Sequence, residues 1–171
     1  MKLRKLEIKD APLMLQWMHD KSVVSHLGAN FAEKTIEDCK NFILSSWEDK
    51  DNMHLAVADD SDEYMGTVSL KHINRELGAA EFAITVRAEA MGKGFSRYAM
   101  TQIIKLGFQE LQLQEIYWCV SPANIRAVRF YDKCGYLRAA KVPDYISAPY
   151  SDQMPLYWYA CYNLGDFLDK D

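Results

Sequence analysis

Cysteine is scarce and scattered. Cys39, Cys119, Cys134 and Cys161 are the four in a chain of 171 residues, and no two form a C-x-x-C pair. His19, His26, His54 and His72 likewise show no H-x-x-x-H spacing. Those absences argue against a zinc site and against a disulfide framework, and each cysteine reads as a small buried hydrophobe in a reducing compartment. A basic excess is missing too. The formal charge of −4 argues against general affinity for nucleic acid, which needs a concentrated cationic surface. A cationic small molecule remains open as a partner, because net charge says little about one pocket. No apolar run approaches membrane-spanning length, and Met1-Lys2-Leu3-Arg4 leads into alternating residues rather than a signal peptide. The expected location is therefore cytoplasmic, without membrane attachment.

Repeats, low-complexity tracts and linkers are also lacking. With 49% hydrophobic and 26% charged residues, the chain is expected to form one domain over residues 1–171, large enough to bury a core without metal or cross-links.

Residues 2 to 9, KLRKLEIK, alternate apolar and polar and predict a half-buried strand. Asp10 is a plausible N-cap for a helix with Leu13, Met14, Trp17 and Met18 inward. Residues 22 to 31 lack a period and read as a loop. Thr35, with Asp38 three residues on, predicts a second capped helix through Trp47. From residue 53 the period changes to two, and strands are expected at His54–Ala58, Glu63–Ile73 and Ala79–Val86. Short turns between them require antiparallel pairing. A helix over residues 93–111, a strand at Ile116–Val120, a helix at Asn124–Cys134, and strands at Tyr136–Ala140 and Met154–Tyr162 complete the order. The long segment Lys141–Pro155 suits a functional loop.

The turn Met91-Gly92-Lys93-Gly94-Phe95-Ser96 joins a strand directly to a helix. Glycines let successive N–H groups converge, and the helix N-terminus adds positive potential, so this is a candidate pyrophosphate cradle with Lys93 and Ser96 as further donors. A tight strand-to-helix turn explains the glycines nearly as well. Two other phosphate motifs are excluded. Arg97 stands where a dinucleotide fingerprint needs a small residue, and no G-x-x-x-x-G-K-[ST] is present. Downstream, Asn124, Ala127 and Tyr131 share one helical face, followed by Cys134-Gly135-Tyr136. Alone, that pattern is equally a core helix with a packed tyrosine.

Together, strand, GKG at a helix start, helix, strand, N-x-x-A-x-x-x-Y and C-G-Y resemble the GNAT superfamily of N-acetyltransferases. The resemblance is strong from Ala79 to Leu137. The opening LRKLEIKD…LQWMHD is similar to the branch of ribosomal-protein N-terminal, polyamine and amino-sugar acetyltransferases. The resemblance implies an α/β (α+β) fold: a mixed, mostly antiparallel sheet of about seven strands, splayed between strands 4 and 5 and flanked by four helices. It implies acetyl-CoA as co-substrate and no metal. The backbone at Ile84 and Val86 is then expected to pair with the pantetheine amides. The amides of Met91, Gly92, Lys93, Gly94, Phe95 and Ser96 would hold the pyrophosphate, and Asn124 the CoA arm. Glu89 departs from the family pattern, which has Gln or Arg there.

The same resemblance places a carboxylate base at Glu81 and makes Tyr131 the general acid for the CoA sulfur, while an exposed strand charge is the plain alternative for Glu81. His72 is an alternative base. Trp17, His19, Trp47, Tyr145 and Tyr150 could line the acceptor pocket, with Asp144 and Asp152 nearby, in a site built by Ser22–Phe31 and Lys141–Pro155. The expected acceptor is a small-molecule primary amine: an amino sugar, polyamine or amino acid derivative. A protein N-terminus, or an acyl-CoA-binding module without turnover, are the alternatives, and a homodimer is compatible with the reading.

Overall fold

The structure is a computed structural model and describes residues 1–153 and 155–165. Seven strands form one sheet in the order β1-β2-β3-β4-β5-β7-β6. These are β1 (Lys2–Lys5), β2 (Met53–Ala58), β3 (Tyr64–Asn74), β4 (Ala79–Val86), β5 (Glu115–Val120), β6 (Leu137–Arg138) and β7 (Tyr157–Cys161). Every neighbouring pair is antiparallel except β4 and β5, which run parallel. A parallel pair needs a crossover, and the helix α4 (Phe95–Gln109) supplies it.

Alternation divides the sheet into two apolar faces. Val57, Val68, Leu70, Phe82 and Ile116 join the core beneath α4, whose Ala99, Ile103 and Ile104 are fully buried. Burying each isoleucine is worth about 1.5–3 kcal/mol. The helix approaches closely because residue 107 is glycine. A Cβ there would lie 2.9 Å from Ile116 Cδ1 and 3.2 Å from Leu70 Cδ1. Ala56, next to Val57, belongs to the second core with Leu6, Met14, Ile43 and Tyr64. That core lies under α1 (Ala11–Met18) and α3 (Ile36–Ser46). The Thr35–Asp38 capping box sets the start of α3. Asp38 N–H donates to Thr35 Oγ1 at 3.2 Å, and Thr35 N–H to Asp38 Oδ2 at 2.8 Å.

Several expectations need correction. The first strand stops at Lys5 because the chain turns into a 3-10 segment at Ile8–Asp10 and Leu6 is fully buried. Asp10 does not cap α1. Its carboxylate accepts two bonds from the Arg4 guanidinium at 2.8 Å each, and one from Glu7 N–H at 2.9 Å. Six α-helices are present among the described residues rather than four, because both expected loops contain a short one. Helix α2 (Lys21–Val24) is capped by Asp20, which accepts from Ser22 N–H at 2.8 Å. Helix α6 (Asp144–Ser147) runs into a 3-10 stretch at Ala148–Gln153. The strand after Gly135 is only Leu137–Arg138, and the last begins at Tyr157. Met154, expected to open that last strand, lies outside the described residues.

Candidate active site

The parallel strands β4 and β5 pair only at Ala79–Glu115, Ala80–Ile116 and Glu81–Tyr117. Beyond Glu81 the ladder between them stops, while β4 stays paired to β3 through Val68–Ile84 and Gly66–Val86. The backbone of Phe82–Val86 therefore faces a V-shaped opening, whose other wall is Trp118–Val120. Unpaired strand edges inside a fold need donors and acceptors from elsewhere, so the opening suits a ligand with amides of its own.

At the wide end stands the turn before α4. Gly92 and Gly94 both take left-handed backbone, with φ of 75° and 88°. A Cβ on Gly92 would meet nothing within 4 Å, and one on Gly94 only Met1 Cε at 3.8 Å, so the space above both glycines is open. Two of the six amides from Met91 to Ser96 are used within the turn. Met91 N–H donates to Ala88 O at 3.1 Å and Lys93 N–H to Ala90 O at 3.3 Å. The first turn of α4 leaves its own N–H groups without helical acceptors, as any helix start does. Glu89 is exposed and lies 3.7 Å from Arg87 Nε.

At the narrow end is Glu81, whose side chain is only 2% exposed. A solvated strand charge is thereby ruled out. The Tyr150 hydroxyl donates to its Oε1, and Lys71 Nζ lies 3.1 Å from the same oxygen. Lys71 also donates to the Tyr150 hydroxyl at 2.9 Å, closing a triangle. The second oxygen, Oε2, is buried without a hydrogen bond, 3.6 Å from His72 Nε2. His72 reaches it because β3 is irregular between Lys71 and Asn74, and His72 itself has a φ of 52°.

Tyr131 comes from α5 (Ile125–Lys133) and is 7% exposed. Its ring packs 5.6 Å from Trp118, 5.1 Å from Tyr159 and 5.3 Å from Phe130. Burial, then the nearby Cys119, pushes its phenol above the ordinary range. Asn124 caps the same helix, with Oδ1 accepting from Ala127 N–H at 3.2 Å. Its NH₂ is the part of the amide left to donate. Cys119, past the split on β5, is pushed up to about 12 by burial and by the charge of Glu81.

On the α1/α3 side of β3 and β4 is a cavity of about 270 Å³. Its floor includes Thr67, Ser69, Ala83 and Thr85, and its walls include Trp17, Phe31, Phe42 and His54. His54 Nδ1 is 2.7 Å from Ser69 Oγ, and burial lowers the imidazole below its ordinary pKa.

A family model described as an acetyltransferase (GNAT) domain matches residues 1–137. The chain belongs to the GNAT acetyltransferases. It is 26% identical over 159 residues to a spermidine N(1)-acetyltransferase of Vibrio cholerae, covering 91% of this chain and 90% of that one. To the corresponding enzyme of Escherichia coli it is 30% identical over 135 residues, covering 79% and 72%. A crystal structure of spermidine N-acetyltransferase from Vibrio cholerae in complex with CoA and spermine superposes with a TM-score of 0.79, at 21% identity. That match covers 98% of this chain and 97% of that one.

This acetyltransferase uses acetyl-CoA, and the expected fold, a seven-stranded mixed sheet opened between strands 4 and 5, is the one it has. Among its described residues no helix is long and apolar enough to cross a membrane. The candidate acceptor residues disperse. Trp17 lines the cavity, while the His19 ring holds Lys34 O at 2.9 Å. Trp47 is 40% exposed and donates to Leu6 O at 2.8 Å, which removes it from the pocket. Tyr145 borders a separate surface hollow with His72, and Asp144 and Asp152 are exposed. Sequence reasoning missed Lys71, His54 and Ser69. The two-residue alternation would have found them, since Lys71, Ser69 and Thr67 pair with Glu81, Ala83 and Thr85, and His54 pairs with Ser69, so all share one face.

Proposed function

We propose that the enzyme, acting as one domain over residues 1–171, transfers acetyl directly from acetyl-CoA to a small-molecule primary amine in a reducing, cytoplasmic setting. The observation that carries this reading is the opened β4–β5 pair, with the buried Glu81 where the ladder ends, the buried Tyr131 packed on Trp118 of β5, and a glycine turn at the wide end. In it, Gly92, Gly94, Phe95 and Ser96 hold the pyrophosphate with help from Lys93, the Ile84 and Val86 backbone pairs with the pantetheine, and Asn124 donates to the CoA arm. An ammonium near pKa 10 must first lose a proton. Glu81 accepts it, through water or by way of Tyr150. The amine nitrogen then attacks the thioester carbon. As the adduct collapses, the C–S bond breaks, Tyr131 protonates the departing sulfur, and the nitrogen's second proton passes through water to restore the phenol. One proton is released overall. Burial keeps the Tyr131 phenol protonated at working pH, as a donor requires.

Relatives that act on spermidine make polyamines the first acceptors to compare, followed by amino sugars and amino acid derivatives. The test is thiol release from acetyl-CoA by the purified protein across an amine panel, with products weighed by mass spectrometry. Amine-dependent release with a 1:1 N-acetylated product supports the proposal. Acetyl-CoA binding without release from any amine would overturn it in favour of a binding module. Release only with peptides bearing a free N-terminus would move the acceptor to proteins.

A further inference from the structure

The cavity beside β4 has a lining that says more about the acceptor than the relatives do, granting that the chain acetylates a small amine. Ala83, Ile84 and Thr85 border it, and Ile84 belongs to the stretch of β4 that faces the opening, so the cavity meets the expected thioester position. Most of the remaining wall is apolar. Trp17 and Phe31 pack edge-to-face at 5.2 Å, Phe42 and His54 at 4.9 Å, and Met14 and Met18 also line the cavity.

Charge is nearly absent from the lining. Lys34 and Asp38 are its formally charged groups, and their charges cancel. One oxygen of Asp38, Oδ2, is committed to the α3 cap, accepting from the Thr35 N–H and Oγ1 at 2.8 Å each. The nearby acids Glu33 and Glu37 do not line the cavity, and Glu37 lies 3.7 Å from Lys40. The one fully buried carboxylate close by, Glu81, already faces Lys71. His54 is held neutral by burial, and Ser69 is hydrogen-bonded to it. Asp38 is a single acid offset by Lys34, so a chain carrying several ammonium groups would leave at least one of them among rings and thioethers without a partner, which is unfavourable. The cavity, about 270 Å³, has room for one ring with a short side chain.

We propose that the preferred acceptor is a monoamine with an aromatic or branched apolar body, of the 2-phenylethylamine type. The body lies between α1 and α3, and the single amino group points to β4 at Ala83–Thr85. The experiment compares kcat/KM of the purified full chain for 2-phenylethylamine, 3-methylbutylamine and spermidine, with acetyl-CoA saturating. The expected result is at least a tenfold preference for either apolar monoamine over spermidine. Phe31→Ala should reduce that preference about tenfold through KM while leaving acetyl-CoA affinity unchanged. At the exposed Lys34, Lys34→Glu should raise spermidine turnover severalfold without altering the fold. Spermidine preferred by the wild type, or Phe31→Ala without effect on the ratio, would overturn the monoamine assignment while leaving amine acetylation intact. Failure of all three amines would overturn it as well. Thiol release with other amines of the panel in that case would show that the acetyltransfer reading survives.

Discussion

Replacing Glu81 by glutamine separates two roles that its position superimposes. The side chain is 2% exposed and its partner Lys71 is 27% exposed. Removing one member of a wholly buried pair costs about 3–5 kcal/mol, because the other charge is stranded. Lys71 retains a route to water, so the loss should be smaller, about 1–2 kcal/mol, or roughly 2–8 °C in Tm for a chain of this size. The catalytic loss is expected to be separate and larger: about 10²–10⁴-fold in kcat/KM, the range for a positioned base. Lys71→Met added to Glu81→Gln removes the stranded ammonium, so it should recover most of the Tm and none of the activity. Thermal denaturation and thiol-release kinetics read the two quantities independently, with acetyl-CoA titration as a control expected to stay within about twofold. If the double variant regained kcat/KM to within about threefold of wild type, Glu81 would be a structural charge and the base would lie elsewhere.

Other perturbations report on separate parts of the molecule. Gly92→Asp or Gly94→Asp puts a side chain and a negative charge on left-handed backbone in open space, so calorimetry should show acetyl-CoA binding lost while the fold persists. Gly107→Val forces methyls against Ile116 and Leu70 and should cost about 1–3 kcal/mol in urea denaturation. His54, whose pKa is lowered in the folded state, binds protons more readily when unfolded. Stability should therefore hold above its ordinary value of about 6.5 and fall as pH drops below it, and His54→Gln should flatten that decline.

The fold was legible where a local pattern decides it. Alternation marked β2, β3 and β4, the Thr35–Asp38 pair marked α3, and the GKG turn marked the start of α4. It was less legible where a distant partner competes for a residue. Asp10 has the chemistry of a cap, but Arg4 takes both of its oxygens. The helices α2 and α6 span four residues each, too short for a hydrophobic period to register. At the site, the resemblance singled out Glu81 and Tyr131, but the groups around them come from separate strands and loops. Lys71 and Tyr150 are 79 residues apart and meet only because β3 pairs with β4 and the segment after α6 folds back over it. His72 reaches Glu81 through a strand irregularity that no alternation rule anticipates.

The central chemical claim is that Tyr131 hands its proton to the departing sulfur. Tyr131→Phe keeps the ring among Trp118, Phe130 and Tyr159 and removes only the hydroxyl. The decisive measurement is kcat for wild type and Tyr131→Phe with acetyl-CoA and with an acetyl thioester of a more acidic, aromatic thiol. With acetyl-CoA the variant should lose about 10²-fold or more in kcat, with acetyl-CoA affinity little changed. With the acidic leaving group, which departs as a thiolate unaided, the loss should shrink to a few-fold. Equal rates for wild type and variant with both thioesters would contradict the account, leaving the phenol as packing and the sulfur's proton to come from another donor.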